Sequence, residues 1–118
     1  MNYRPLRVGK LIREELNKLI QREVEISGAL ATITDVAIDK KLERARVYVS
    51  VLPMEKSAGA LDLFKKSEGR LQYLLGRKLN IKPMPHIEFV PDRGPEHAAE
   101  VEKILIKDQN NESGHVAK

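Results

Sequence analysis

Four carboxylates, Asp35, Asp39, Glu88 and Asp92, fall at strand positions or strand ends, where a pair of acids can serve as general acid and base in hydrolysis. The same positions serve strand-edge solubility and turn formation, which is the commoner use of an acid there. The three histidines, His86, His97 and His115, share no i,i+4 spacing that would point two imidazoles at one metal. The absence of cysteine removes thiolate ligands, thiol nucleophiles and disulfides together. Gly76-Arg77-Lys78 lacks both the spaced upstream glycine and the Ser or Thr of a phosphate loop. No serine sits in a Gly-x-Ser-x-Gly elbow, so Ser50, Ser57 and Ser67 read as strand or cap residues, with Ser57 the expected N-cap of a helix. No catalytic centre, metal or cofactor is therefore expected.

What the sequence does gather is positive charge. Lys65 and Lys66 precede a glycine-interrupted junction at Ser67-Glu68-Gly69, and Arg70, Tyr73 and Arg77 follow it at spacings of three and four, with Lys78 and Lys82 beyond. Cations around a bend, with amides freed at the start of a second helix, can hold RNA phosphates, and Tyr73 can stack on a base or pack at the rim. A second basic face comes from Arg7, Lys10, Lys18 and Arg22, interrupted by Glu14, Asn17 and Gln21. Lys plus Arg outnumber Asp plus Glu by 21 to 17, for a formal charge of +4, which favours a polyanionic partner without demanding one. A charged helix face is also the ordinary solvated face, and the arrangement around Gly69 is what distinguishes this one.

The elements that must carry these residues follow from periodicity. Val8, Ile12, Leu16, Leu19 and Ile20 form one stripe of a helix from Pro5 to Glu25, stopped by Ser27 and Gly28. Thr32 to Asp39 alternates as a strand, with Thr34, Val36 and Ile38 on one side, and Ala45 to Leu52 as a second strand pairing antiparallel with it. After Pro53, helical spacing runs through Leu61 and Phe64, breaks at the glycine, and resumes at Leu71, Leu74, Leu75 and Leu79. His86 to Val90 is a third strand, able to join either edge of the hairpin. Ala98, Val101, Ile104 and Leu105 mark a last helix starting near Pro95. Residues 1–107 are thus expected to be one α+β domain with helices on one sheet face, and 108–118 a disordered tail. With 4% aromatic residues the core must be aliphatic, around Phe64 and Phe89. Neither a signal peptide nor a membrane span is visible, so a cytoplasmic location is expected.

In this order and spacing the sequence resembles the bacterial ribosome-binding factor A family over about residues 3 to 106. The resemblance rests on Arg4-Pro5-Leu6-Arg7-Val8 leading into Ile12 and Leu16, on Gln21-Arg22-Glu23-Val24, and on the strand from Ala45 to Val51. It continues in Gly69-Arg70-Leu71, in Leu74-Leu75-Gly76-Arg77-Lys78-Leu79 and in the run from Pro85 to Asp92. It implies a KH-like fold of the order α-β-β-α-α-β in which an A-x-G kink between two helices replaces the usual G-x-x-G loop. Here the kink reads Ser67-Glu68-Gly69, with a hydroxyl expected to cap the second helix and an acid expected to repel phosphate. The resemblance further implies a monomer that binds the immature small ribosomal subunit near its decoding region, supports processing of its ribosomal RNA, above all in the cold, and is released with the help of a small-subunit GTPase. Two other readings stand beside it: a protein-interaction module that docks through its sheet edge or terminal helix, and a carboxylate-dependent nuclease.

Overall fold

The apolar stripe of the first helix closes onto a sheet. In the computed structural model, which describes residues 4–94, α1 spans Arg4–Glu23 and buries Val8, Gly9, Ile12, Leu16, Leu19 and Ile20. β1, Leu30–Ile38, and β2, Arg44–Leu52, follow as an antiparallel hairpin, and a 3-10 turn at Met54–Lys56 leads into α2, Ser57–Lys66. α3, Glu68–Leu79, and β3, His86–Pro91, complete the described chain. β3 joins the free edge of β2 in parallel, giving the order β1-β2-β3 and settling which edge it takes. The expected terminal helix and tail lie outside the described residues. Among the described residues no helix is long and apolar enough to cross a membrane.

The core face of the sheet is formed by Ala45, Val47 and Val49 of β2 and by Ile87 and Phe89 of β3, all at most 3% exposed. Ile12 and Leu16 of α1, Phe64 of α2 and Leu71 and Leu75 of α3 pack on it in one cluster. The rings of Phe64 and Phe89 stack with centroids 5.3 Å apart beneath the junction of α2 and α3.

The alternation read for β1 needs correction. Ile33 pairs with Val49 and Asp35 with Tyr48, so one residue of β1, Thr34, is extra. This bulge leaves Ala31, Ile33, Val36 and Ile38 opposite the core-facing residues of β2 and takes Thr34 out of their row. The bulge is held by the Asp35 carboxylate, which accepts the Val36 amide at 2.8 Å. A strict period of two cannot anticipate an inserted residue, which is why Thr34 reads as a partner of Val36 and Ile38.

Two side-chain amides tie helices to strand backbone. Asn17 of α1 donates to the Ile33 carbonyl at 3.1 Å and accepts the Ile33 amide at 2.8 Å. Gln72 of α3 donates to the Pro85 carbonyl at 2.8 Å and accepts the Ile87 amide at 2.8 Å. Both pairs of bonds satisfy groups on the outer edges of the sheet, where no further strand lies among the described residues. Asn17, read from the sequence as part of the solvated face of α1, is thus turned inward.

The second face of the sheet has its own central row, in which Asp35, Tyr48 and Val90 are register partners. Ala37, Arg46 and Glu88 form the adjacent row. Tyr48 is buried, although it lies outside the helix-covered cluster. Burial, together with Asp35 and Asp92 and against the opposing effect of Arg46, raises its phenol above the ordinary value.

Candidate nucleic-acid interface

The junction between α2 and α3 is a break of one residue. Ser67 leaves helical geometry with φ −91° and ψ 0°, its amide still bonding to the Leu63 carbonyl at 3.0 Å while its carbonyl accepts the Leu71 amide at 2.9 Å. The bend therefore falls at Ser67, and Gly69 lies inside the first turn of α3. A Cβ at Gly69 would meet nothing within 4 Å, so glycine here leaves the backbone of that turn open to approach rather than supplying a special conformation. The first amides of α3 have no intrahelical partner, as at any helix start. Two expected caps are absent: Ser67 makes no side-chain cap to α3, and Ser57 is the first residue of α2, whose N-cap position is Lys56.

Glu68, the acid expected to oppose phosphate at the bend, is instead turned toward β3. Its carboxylate accepts the Phe89 amide at 3.4 Å and lies 3.8 Å from the His86 imidazole. One turn later Gln72 makes the bonds to Pro85 and Ile87, so the two side chains together line the outer edge of β3.

The cations divide into a junction group and outlying ones. Lys65, Lys66 and Arg70 are exposed around the bend, with Lys66 held 3.1 Å from Asp62 one turn back. The Arg70 guanidinium donates through both Nε, at 3.1 Å, and Nη2, at 2.6 Å, to one oxygen of Glu23 at the end of α1. Arg22 sits 3.5 Å from the other oxygen of that carboxylate, so the end of α1 and the start of α3 share one ionic cluster. Along α3 the exposed strip continues through Tyr73, 61% exposed, and Arg77, whose guanidinium lies 5.8 Å over the Tyr73 ring. Lys78 and Lys82 are exposed beyond it.

Lys18 lies one turn before Arg22 and 4.0 Å from Glu15. Arg7 and Lys10 are exposed at the opposite end of α1, with Lys10 twelve residues, or about 18 Å of helix, from Arg22. The junction thus gathers Arg22, Lys65, Lys66, Ser67, Gly69, Arg70 and Tyr73, and leaves Arg7 and Lys10 apart from them. Glu23 was not singled out from the sequence, because nothing in its spacing reveals that the end of α1 meets Arg70 forty-seven residues later. An open groove lined by Gln21, Arg22, Glu23, Val24, Ile26 and Phe64 runs beside this cluster.

The strand carboxylates are occupied structurally. Asp39 accepts the amides of Glu43 at 2.7 Å and Arg44 at 3.1 Å and so builds the hairpin turn. Asp92 accepts the Thr34 hydroxyl at 2.8 Å and the Gly94 amide at 2.9 Å. With Asp35 at the bulge, three of the four acids stabilise backbone geometry, and Glu88 is an exposed residue of β3.

Comparison with known proteins supplies the family. The family model described as Ribosome-binding factor A matches residues 4–105. Among curated relatives, Ribosome-binding factor A of Opitutus terrae is 32% identical over 106 residues, covering 89% of this chain and 87% of its own length. That of Chloroherpeton thalassium is 36% identical over 110 residues, covering 91% and 88%. The crystal structure of ribosome-binding factor A from Thermus thermophilus superposes with a TM-score of 0.63 at 26% identity, covering 74% of this chain and 93% of that one. Coordinates of the Thermus thermophilus factor fitted into a cryo-EM map of a 30S complex give 0.58 at 27% identity, covering 75% and 91%. A three-stranded sheet in this order, two helices meeting at Ser67 and a family match spanning every described residue lead to one assignment: the chain belongs to the ribosome-binding factor A family and has its KH-like fold.

Proposed function

We propose that this protein binds the immature small ribosomal subunit and assists maturation and processing of its ribosomal RNA, acting through binding free energy rather than covalent chemistry. The observation that carries this reading is membership of the family, together with the relative whose coordinates were fitted into a 30S complex. The contact surface is the junction group, Arg22, Lys65, Lys66, Ser67, Gly69, Arg70 and Tyr73, extended along α3 by Arg77, Lys78 and Lys82 and along α1 by Arg7, Lys10 and Lys18. Exposed cations beside the open first turn of α3 suit phosphates in a folded RNA, and such contacts position rather than read sequence. Preference for one RNA conformation over another then shifts the population of assembling subunits toward it.

A cytoplasmic monomer, a greater requirement in the cold and release aided by a small-subunit GTPase complete the proposal. The nuclease reading loses support because Asp35, Asp39 and Asp92 are committed to backbone bonds. Docking of a partner through the sheet edge loses support because helix side chains occupy edge groups of β1 and β3.

Co-sedimentation with isolated small subunits tests the surface. The wild-type chain is expected to pellet with subunits at low salt and to be released as salt rises, because phosphate contacts displace counterions. Charge reversal at Lys65, Lys66, Arg70, Arg77 and Lys78 is expected to abolish pelleting. Unchanged pelleting of that variant would reject the surface, and pelleting insensitive to both salt and nuclease would favour a protein partner.

A further inference from the structure

Tyr73 carries an aromatic ring that the fold does not use. α3 buries Leu71 and Leu75, turns Glu68 and Gln72 to β3 and ties Arg70 to α1. At 3.6 residues per turn Tyr73 lies about 160° around the helix from both leucines, so its ring points into solvent. A lone exposed aromatic is ordinary, but the surroundings of this one are ordered. The Arg77 guanidinium lies 5.8 Å from the ring centroid, and its Nη1 reaches the phenol oxygen at 3.5 Å. One face of the ring is therefore backed by a cation one turn further along.

The other side is clear. Helical side chains lean toward the N-terminus, so Arg77 leans onto Tyr73 and Tyr73 leans toward Gly69, one turn earlier. Gly69 keeps a helical backbone without positive φ, and a Cβ there would meet nothing within 4 Å. Neither conformation nor packing calls for glycine at this place, where alanine would favour the helix more. What the glycine supplies is clearance in front of the ring. The charge around that clearance is one-sided: residues 69–87 hold Arg70, Arg77, Lys78 and Lys82 and no Asp or Glu. Glu68 is turned away to the Phe89 amide, and Glu23 meets the strip at Arg70.

A flat ring with an open face and cations before and after it along the helix suits a ligand with a flat π face and a negative charge on either side. A nucleotide within a strand has that form. Bases in a duplex are stacked on their neighbours and offer no free face, whereas unpaired bases can be splayed onto an aromatic side chain. We propose that Tyr73, backed by Arg77, is a stacking platform for an unpaired nucleobase whose flanking phosphates fall to Arg70 and Lys78. This surface then takes a single-stranded stretch of RNA rather than a duplex, with Gly69 leaving room for the base. The proposal rests on the ribosomal RNA reading above and names the kind of segment contacted.

The test titrates the full-length chain, at fixed low salt, into a fluorescein-labelled unstructured RNA strand, alone and annealed to its complement, with anisotropy as the readout. Tyr73→Leu is expected to lose about five-fold or more in affinity for the unpaired strand, as removal of one stacked base would cause, with duplex affinity unchanged. Tyr73→Phe keeps the ring and should retain most of the affinity. Gly69→Leu fills the clearance and should weaken binding of the unpaired strand without lowering the thermal midpoint. The proposal is overturned if Tyr73→Leu weakens strand and duplex alike or neither, or if Tyr73→Phe binds as weakly as Tyr73→Leu. Wild-type affinity in Gly69→Leu, or no binding of the unpaired strand by the wild-type chain, would equally reject it. In each of those cases salt-dependent pelleting of the wild-type chain with small subunits would keep the ribosomal reading, which fails separately, through the charge-reversal variant.

Discussion

Arg70 illustrates how a single cation can belong to the fold and to a binding surface at once. Its two bonds to Glu23 are exposed on the arginine side, so the pair adds only about 0–1 kcal/mol to stability. The same carboxylate competes with any phosphate for that guanidinium. Glu23→Gln is therefore expected to leave thermal stability nearly unchanged and to tighten small-subunit binding, by no more than about five-fold given what such a pair is worth. Sedimentation titrations at fixed low salt check this, and weaker binding would show that the carboxylate positions Arg70 instead of competing for it. Tyr48 makes the matching case for burial. Its phenol titrates above the ordinary value of 10.0, chiefly because ionisation in a buried site is unfavourable. Below that ordinary value both folded and unfolded chains hold it neutral. As pH rises through that value the unfolded chain ionises first, and stability falls. Tyr48→Phe should flatten this alkaline loss, measurable by urea unfolding between about pH 9 and pH 11.

At the level of elements, Gly9 shows why α1 sits where it does. A Cβ there would come 2.9 Å from the Val36 carbonyl oxygen, a backbone atom with little freedom to move, so glycine sets how closely α1 approaches β1. Gly9→Ala is expected to destabilise by about 1–3 kcal/mol, despite alanine's better helix propensity, because overpacking forces the helix away from the strand. A drop in the urea midpoint at constant slope would establish it. Asn17→Ala removes both partners of Ile33 and should cost about 1–3 kcal/mol, with faster hydrogen exchange at the Ile33 amide as its local signature. Elements were the legible part of the sequence. The leucine stripe of α3, the valine alternation of β2 and the break after Lys66 are local patterns, and each appears within a residue or two of its expected place. What stayed hidden is non-local or off-period: the extra residue at Thr34, the inward turn of Asn17, and the edge chosen by β3. The exposed cations of the junction could be read from spacing, and Asp62 lies at i,i+4 from Lys66 within one helix, whereas Glu23, the carboxylate that answers Arg70, becomes visible as its partner only once α1 and α3 are placed.

For the whole molecule, the distribution of charge matters more than its sum. A net charge of +4 is modest, so affinity for a polyanion must come from local concentration of cations rather than from the overall field. Replacing Arg77 or Lys78 with glutamine should lower the slope of log affinity against log salt by about 0.7 to 0.9 for each phosphate contact removed. The slope should stay unchanged for Lys40→Gln or Lys41→Gln, which lie in the β1–β2 connection outside the proposed surface. Equal slopes for both sets would mean that the RNA senses only total charge.

The paired amides of Asn17 and Gln72 bear on how the chain finds its native alignment. Each grips both polar groups of a single strand position or its immediate surroundings, and so acts as a notch that accepts one setting. If β1 or β3 slid by one residue, the amides would face backbone groups they cannot pair with, and the outward-facing side chains would be driven into the interior together. Misaligned sheets are thus penalised twice, once in solvation and once in unmet polar contacts, and the two outer strands are keyed to their helices by bonds within the chain itself.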